Sequence, residues 1–341
     1  MKLAVVLLAL ASSSAAYADD AAPVKQLLAD PNQLATWLRD RDPLIESSRA
    51  KVEAAAAATQ QARVLPNPEL NFAAGGFVIG QTNNGGENST TPTLGLDQTT
   101  NYQIGITEMI ELGKRSHRQH AADSRAREAG ETAVGALGDR LGDVTQALGK
   151  LTYASAKRDV AAANLTAAKK LRDNEKVRLD NKDLSPLEFG RIELDTEELD
   201  LQLGRAESEL ASATAVCSAA LMASCSADGL DTGVLDAGAP LPAALPDPTT
   251  AVEARPARQA SKLEVAALGE DAALANARKI PDPTLGVAYL LDNLTVAGNQ
   301  HQQFIFSIGI PLPIFDRGNH DAAAARANAR AVEAEDRAQV R

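Results

Sequence analysis

Aromatic residues are scarce in this sequence: they make up 3% of 341 residues, with a single tryptophan. Low aromatic content with abundant alanine suits helix packing better than a thick globular core. The net charge of −11 argues against nucleic acid and against anionic membrane surfaces as partners. Beyond the N-terminus no apolar run reaches eighteen residues, so we expect no transmembrane helix in the mature protein.

Sequence motifs for catalysis are also missing. There is no nucleophile elbow, no glycine-rich phosphate loop and no cluster of histidine and carboxylate residues, so we expect neither an enzyme nor a cofactor. The only cysteines are Cys217 and Cys225. On one continuous helix they would lie about 12 Å apart, too far for a disulfide. A bond requires the helix to end between them; two small buried apolar residues are the alternative.

The N-terminus has the pattern of a secretory signal peptide over residues 1–18. Lys2 precedes an apolar stretch at 3–10, and an A-x-A-like cleavage site follows at 16–18. We therefore expect an exported protein. Residues 19–43, which contain three prolines, are predicted to form a polar, irregular N-terminal periplasmic segment.

A long helical hairpin dominates the middle of the chain. Residues 114–183 contain no proline and are rich in good helix formers, which predicts a rod on the order of 100 Å. After a turn at 184–186 the chain returns to about Ala223. Apolar and small residues there step by seven with an offset of three, the pattern of a coiled-coil seam. The seam pairs are Phe189/Ile192, Thr196/Leu199, Leu203/Ala206, Leu210/Ala213 and Cys217/Ala220.

Four segments of about ten residues alternate between apolar residues and small or polar ones, which predicts β-strands. This length and alternation are typical of membrane barrels, although a small soluble sheet beside a coiled coil has the same pattern. The fourth predicted strand extends through Ile310 to Leu312. In the barrel interpretation the lipid-facing residues are Leu70, Phe72, Tyr102, Ile104, Ile106, Leu285, Val287, Tyr289, Phe304, Phe306 and Ile308.

The pattern of a helix, the sequence P-x-P and a strand occurs twice, at 62–70 and at 277–285. We infer a first repeat at 44–223, an equatorial linker at 224–249 and an incomplete second repeat at 250–341. The helix that opens the second repeat is predicted at 250–279, with Pro256 as a kink or as its true start. By comparison with the first repeat, we expect on the order of 85 further residues after Arg341.

Four strands are too few to close a barrel, since the smallest membrane barrels have about eight. Open sheet edges are not tolerated in lipid. Several copies must therefore pool their strands, and a trimer would supply twelve.

Three stretches, at 65–70, 110–115 and 310–318, resemble the TolC-like outer-membrane efflux proteins, the outer-membrane factors of tripartite efflux systems. They look most like the heavy-metal (cobalt-zinc-cadmium or copper) branch, and the resemblance covers about 44–341. It implies a mainly α fold with a β-barrel portion: long antiparallel hairpins and four transmembrane strands per protomer, in a trimeric α/β barrel. It also implies that the chain forms a homotrimer. The implied partners of this trimer are a periplasmic adaptor (membrane-fusion protein) and an inner-membrane RND-type pump.

The resemblance also implies a function: passive export of small solutes, with heavy-metal cations favoured, across the periplasm and outer membrane. The hairpin tip would form the aperture and the adaptor-docking site. The tip residues are Asp183, Leu184, Ser185, Pro186 and Glu188. Two alternatives remain open: a soluble periplasmic coiled-coil adaptor, and a type I protein-secretion conduit.

Acidic side chains beyond the tip would favour cations at an aperture, although they are equally consistent with a solvated helix face. These are Glu188, Glu193 and Asp195. His117 and His320 are predicted to lie at equivalent places in the two repeats, where three copies would form a ring that could contact metal. We otherwise expect no metal site.

Overall fold

The computed structural model describes residues 21–75, 100–230, 247–293 and 300–339. The predicted signal peptide, most of the linker at 224–249 and most of the polar loop between the first two strands lie outside the described residues. The chain is mainly helical with one small sheet. By their contacts the residues form two compact units, unit 1 (1–50 and 133–250) and unit 2 (51–132 and 251–341).

The described elements are eight helices and four strands, in this order along the chain. They are α1 (Val24–Ala29), α2 (Pro31–Arg41), α3 (Pro43–Arg63), β1 (Glu69–Gly75), β2 (Asn101–Met109), α4 (Arg115–Asp180), α5 (Pro186–Leu221), α6 (Pro248–Glu253), α7 (Pro256–Ala277), β3 (Thr284–Asp292), β4 (Gln302–Gly309) and α8 (Asn319–Gln339).

The prediction of an irregular segment at 19–43 is wrong, because α1 and α2 occupy most of it. Pro31 is the first residue of α2, where its missing N–H costs no hydrogen bond. The Asp30 carboxylate caps this helix by accepting a hydrogen bond of 2.8 Å from the Asn32 N–H. Pro43 likewise begins α3. These two prolines therefore start helices and do not interrupt them.

The core of unit 1 explains why α1 and α2 form. Leu34 and Leu38 of α2 are buried against residues of the long hairpin. On the hairpin side α4 and α5 contribute Val144, Leu148, Leu151, Cys217 and Leu221, all with at most 1% of their surface exposed. Short helices are marginal alone and are stabilised by such packing.

The hairpin confirms the predicted coiled-coil seam. Every seam residue of α5 is buried or half-buried, while the large apolar residues between them, such as Leu194 and Leu201, are exposed. On α4, Leu151, Ala154 and Leu165 are buried with the same step of seven and offset of three. Ion pairs beside the seam, including Lys157–Glu209 at 2.6 Å, link the two arms.

Cys217 and Cys225 form a disulfide, with their Cα atoms 6.0 Å apart. The bond is possible because α5 ends at Leu221 and Met222 takes a left-handed conformation, φ 53°, which turns the chain back. The sequence left open a disulfide across the end of a helix or two unbonded buried cysteines, and the disulfide is correct. The reversed segment then meets the N-terminus, where the Ala22 N–H donates to the Ser224 carbonyl over 2.9 Å.

Unit 2 contains the sheet, which is antiparallel throughout with the order β1-β2-β3-β4. Its strands have seven to nine residues, slightly fewer than predicted. The predicted extension of the fourth strand through Ile310 to Leu312 is wrong. β4 ends at Gly309, and Pro311 has no N–H with which to continue the ladder.

Pro256 is the true start of a helix, because α6 ends at Glu253 and α7 begins at the proline. The order helix, strand, strand, helix thus occurs twice, as α3-β1-β2-α4 and as α7-β3-β4-α8. In the described parts of the chain, no helix combines the length and apolarity needed to cross a bilayer.

Candidate functional site: an apolar sheet face and a capped hairpin tip

One face of the sheet carries two continuous rows of large apolar side chains. The strand register joins residues that share a face across all four strands. The first row is Leu70, Ile106, Val287 and Phe306, and the second is Phe72, Ile104, Tyr289 and Phe304. Tyr289 and Phe304 also stack edge to face, with ring centroids 5.6 Å apart.

Seven of these eight side chains are exposed, most of all at the two edge strands, and Tyr289 is half-buried. Phe72 of β1 is 70% exposed, and Phe306 of β4 is 81% exposed. We call this surface the apolar face. It contains all eleven residues predicted to face lipid, and they fall together because each strand keeps its period of two. A contiguous exposed apolar surface of this kind marks a membrane or protein contact.

The opposite face is built mainly from small and polar residues, with Met109, Leu290 and Ile305 as large apolar exceptions. The Asn71 amide donates to the Thr107 hydroxyl over 2.9 Å. A side chain at Gly105 would place its Cβ 2.7 Å from that of Ala288, so glycine is needed where these strands approach. The two faces therefore differ, with most of the large apolar side chains on one of them.

Basic side chains at the start of α4, next to the sheet, donate hydrogen bonds to the C-terminal ends of two helices. Arg118 donates to the carbonyl oxygens of Ala62 and Val64 at the end of α3 and also pairs with Glu111, which raises the pKa of Arg118. Arg115 donates to the Arg63 carbonyl over 2.7 Å. Cations at a helix C-terminus satisfy its free carbonyls and complement its dipole.

The neighbouring Lys114 acts in the same way on the other half of unit 2. Its ammonium donates to the Ile280 carbonyl over 2.8 Å and pairs with Asp282 at 2.7 Å. Asp282 also accepts from the Leu112 N–H. The stretch 110–115 was recognised in the sequence only as a family-like motif. Its structural role was missed because the accepting carbonyls lie about 50 and 170 residues away in the chain.

The two histidines predicted to be equivalent lie near the starts of α4 and α8. His117 is the third residue of α4 and His320 is the second of α8, so the two differ by one position, about 100° of helix rotation. His117 Nδ1 lies 2.7 Å from a carboxylate oxygen of Glu270, and His120 Nδ1 lies 3.9 Å from the other. Across the described ranges, no group of three or more ligand side chains is arranged to hold a metal ion.

The hairpin tip is fixed by a capping box. The Ser185 hydroxyl accepts from the Glu188 N–H over 3.2 Å, and the Glu188 carboxylate accepts from the Ser185 hydroxyl and N–H over 2.8 and 3.1 Å. Pro186 then begins α5. Of the predicted tip residues, Ser185 and Glu188 shape the turn, and Asp183 and Pro186 are exposed beside it.

No protein-family model and no curated protein sequence matches the chain. Solved structures do match. CusC, whose crystal structures describe transmembrane channel formation, has a TM-score of 0.71 and 16% identity, over 91% of this chain and 72% of its own. The outer-membrane channel OprN has a TM-score of 0.67 and 19% identity, over 93% and 72%. The outer-membrane protein VceC of Vibrio cholerae has 0.65 and 17%, over 91% and 75%.

The chain has the fold of the TolC-like outer-membrane channels. At these identities the likeness is one of fold, and the resemblance predicted from the sequence is confirmed at that level. Within the outer-membrane channel fold, the long hairpin and the four-stranded sheet are the two elements that carry the predicted site residues.

In this channel fold the stability of the hairpin tip can be tested through its capping box. We expect Ser185→Ala to speed amide hydrogen exchange in the first turn of α5 about fivefold, the effect of losing a typical N-cap. Ser208→Ala is the matched control, since Ser208 is exposed in mid-helix and bonds only the Gly204 carbonyl. Equal exchange rates in the Ser185→Ala and Ser208→Ala variants would show that the capping box does not stabilise the tip.

The capping box also gives the tip a pH dependence. The hydrogen bonds from Ser185 lower the pKa of Glu188 from its ordinary value. A lowered pKa means that the stabilisation is complete above the ordinary glutamate pKa and is lost as the pH falls through the lowered one. The effect of Ser185→Ala on exchange should therefore be present at neutral pH.

Proposed function

We propose that this chain is a protomer of an outer-membrane channel that exports small solutes passively. The observation that carries the proposal is the apolar face, a continuous exposed surface on a sheet of four antiparallel strands. Membrane barrels carry apolar residues outward and small or polar ones inward in this alternation. A soluble coiled-coil adaptor has no need of such a face.

The sheet has two edges, β1 and β4, among the described strands. Because unpaired edges are not tolerated in lipid, the edges of separate copies must pair. Three copies would close a barrel of twelve strands, and the two helix–strand–strand–helix sets would act as internal repeats. We therefore propose a homotrimer with its sheet in the outer membrane and its hairpins in the periplasm.

The partners and the cargo follow from the resemblance of the chain to tripartite efflux systems. We propose that the hairpin tip, residues 183–188, docks a periplasmic adaptor that is joined to an inner-membrane RND-type pump. The acidic and exposed residues beyond the tip, Glu193 and Asp195, support cations as the cargo, and heavy-metal cations are our candidate. The chain itself supplies no energy and no catalysis in this scheme.

Membrane fractionation of two matched variants tests the proposal. Phe306→Lys places a charge on the apolar face, which should cost about 2–4 kcal/mol in the membrane and remove the protein from the outer-membrane fraction. Ser307→Lys makes the same change on the next residue, which faces the other side of the sheet, and should leave localisation intact. The unmodified chain should crosslink as a trimer and, in planar bilayers, pass cations in preference to anions.

A soluble monomer of the unmodified chain would contradict the proposed function. So would outer-membrane localisation that both lysine variants retain, because the apolar face would then not be in contact with lipid. Conduction that favours anions would remove the cation proposal and leave the channel proposal standing.

A further inference from the structure

Two exposed features lie at the same end of the sheet, but at opposite edges. Each of the three strand pairings is antiparallel, so β1 and β4 run in opposite directions. The segment that enters β1, residues 64–68, and the segment that leaves β4, residues 310–315, are therefore at one end. Three interstrand steps of about 4.8 Å separate the two edge strands.

The first feature is Phe315, which is 99% exposed. It lies on a segment whose other apolar side chains are also exposed, including Leu312 at 72% and Ile314 at 61%. The segment is held at its far end, because Gly318 packs directly on the backbone of Ala275 in α7. An aromatic ring held in solvent on an anchored segment has the properties of an interface anchor.

The second feature is an open groove of about 460 Å³ beside the β1 edge. Its volume is within the range of about 300–1,000 Å³ that is typical of sites for whole small molecules, which leaves ample room for one phenyl ring. Its walls are mostly apolar, with two arginines at the side. The lining includes Ala62, Val64, Leu65, Pro66, Arg118 and Arg125.

The arginines in the groove are already held in place. Arg118 is fixed by Glu111 and by two carbonyls of the α3 end, and Arg125 pairs with Asp271. A guanidinium that is held in this way can contact an aromatic ring without losing further side-chain freedom. The groove therefore favours an aromatic occupant over an aliphatic one.

We propose that Phe315 of one copy occupies the groove of the next copy around the ring. This inference rests on the proposed function, in which β4 of one protomer pairs with β1 of its neighbour. That pairing brings residues 310–315 of one copy against residues 64–66 of the other, since both leave the sheet at the same end. Within a single chain the two features are kept apart by the width of the sheet.

This contact is heterologous, joining different surfaces of the two copies, and such contacts close into rings when the rotation permits. Each copy offers one aromatic side chain and one groove, so a closed trimer would have all three grooves filled. The same contact would fix the register of the β4–β1 pairing, because Phe315 can enter the groove at only one offset of the two strands.

Photocrosslinking in cells tests the proposal. The full chain carries a photoreactive phenylalanine analogue, benzoylphenylalanine, in place of Phe315, and adducts are mapped by mass spectrometry. We expect an intermolecular adduct with the peptide of a second copy that contains Leu65. The same analogue in place of Val287 is the matched control and should give no adduct with that peptide, because β3 lies between β2 and β4 of its own chain.

Phe315→Ala provides the second measurement. We expect it to lower the ratio of trimer to monomer after chemical crosslinking at least about tenfold, as the loss of an interface anchor does. Phe315→Tyr, which keeps the aromatic ring, is the matched control and should leave that ratio unchanged. An adduct of the 315 probe confined to its own chain, to another protein or to another region of the copy overturns the inference. So does an unmodified trimer that Phe315→Ala leaves intact, while the proposed function would stand.

Discussion

Arg140→Met is expected to destabilise unit 1 by roughly 3–5 kcal/mol, the cost of leaving a buried charge without its partner. The Asp42 side chain is 1% exposed, and its carboxylate accepts from Arg140 Nε over 2.5 Å. Arg140 also donates to the Ala220 carbonyl over 2.9 Å near the end of α5. Methionine keeps the length of the side chain but removes the charge and both hydrogen bonds.

Urea unfolding of the purified protein, followed by far-ultraviolet circular dichroism, measures this effect. Lys157→Met is the matched control, because its partner Glu209 is half exposed and exposed ion pairs contribute little to stability. The double variant Asp42→Asn with Arg140→Met should recover part of the loss, since it removes the unpaired charge. Equal midpoints for Arg140→Met and Lys157→Met would show that the buried pair does not stabilise unit 1.

Gly318→Ala is expected to have the second large effect, a loss of stability in unit 2. Gly318 has φ 70°, where a side chain is strained by about 1–2 kcal/mol, and a Cβ there would overlap the carbonyl of Ala275. Because the obstacle is backbone, α8 must move away from α7. We expect a loss of roughly 3 kcal/mol or more.

Gly113→Ala separates the two causes of that loss. Gly113 has nearly the same φ, 71°, but a Cβ there would meet no atom within 4 Å. Its substitution should therefore cost only the backbone strain, about 1–2 kcal/mol. Limited proteolysis of the α7–α8 region at increasing temperature measures both variants, and equal sensitivity would contradict the proposed overlap.

The hairpin and the strands could be predicted because their signals are local. A step of seven residues marks the buried side of α5, and a step of two marks the apolar face. Each pattern is complete within its own segment. The shared face of all four strands could also be predicted, since a shift of one residue in any pairing would move the apolar series of that strand to the other side.

Interactions between distant residues could not be predicted in this way. Nothing near Pro31 indicates that α2 will pack on α4, more than a hundred residues later. Asp42 and Arg140 are separated by 98 residues. Lys114 is 166 residues from Ile280, whose carbonyl it binds. The predicted turn was enough to place the tip residues. The capping box could not be predicted in the same way, because it depends on the orientation of the Ser185 and Glu188 side chains.

The disulfide between Cys217 and Cys225 has a consequence for how the chain is handled in the cell. Thiols stay reduced in the cytosol and are oxidised after export. The fold of the α5 end brings the two sulfurs together. In the proposed exported protein the bond would form only after the chain reaches an oxidising compartment. The fraction of oxidised cysteine would then report how much of the chain has crossed the inner membrane, and alkylation of free thiols in a denatured sample measures that fraction.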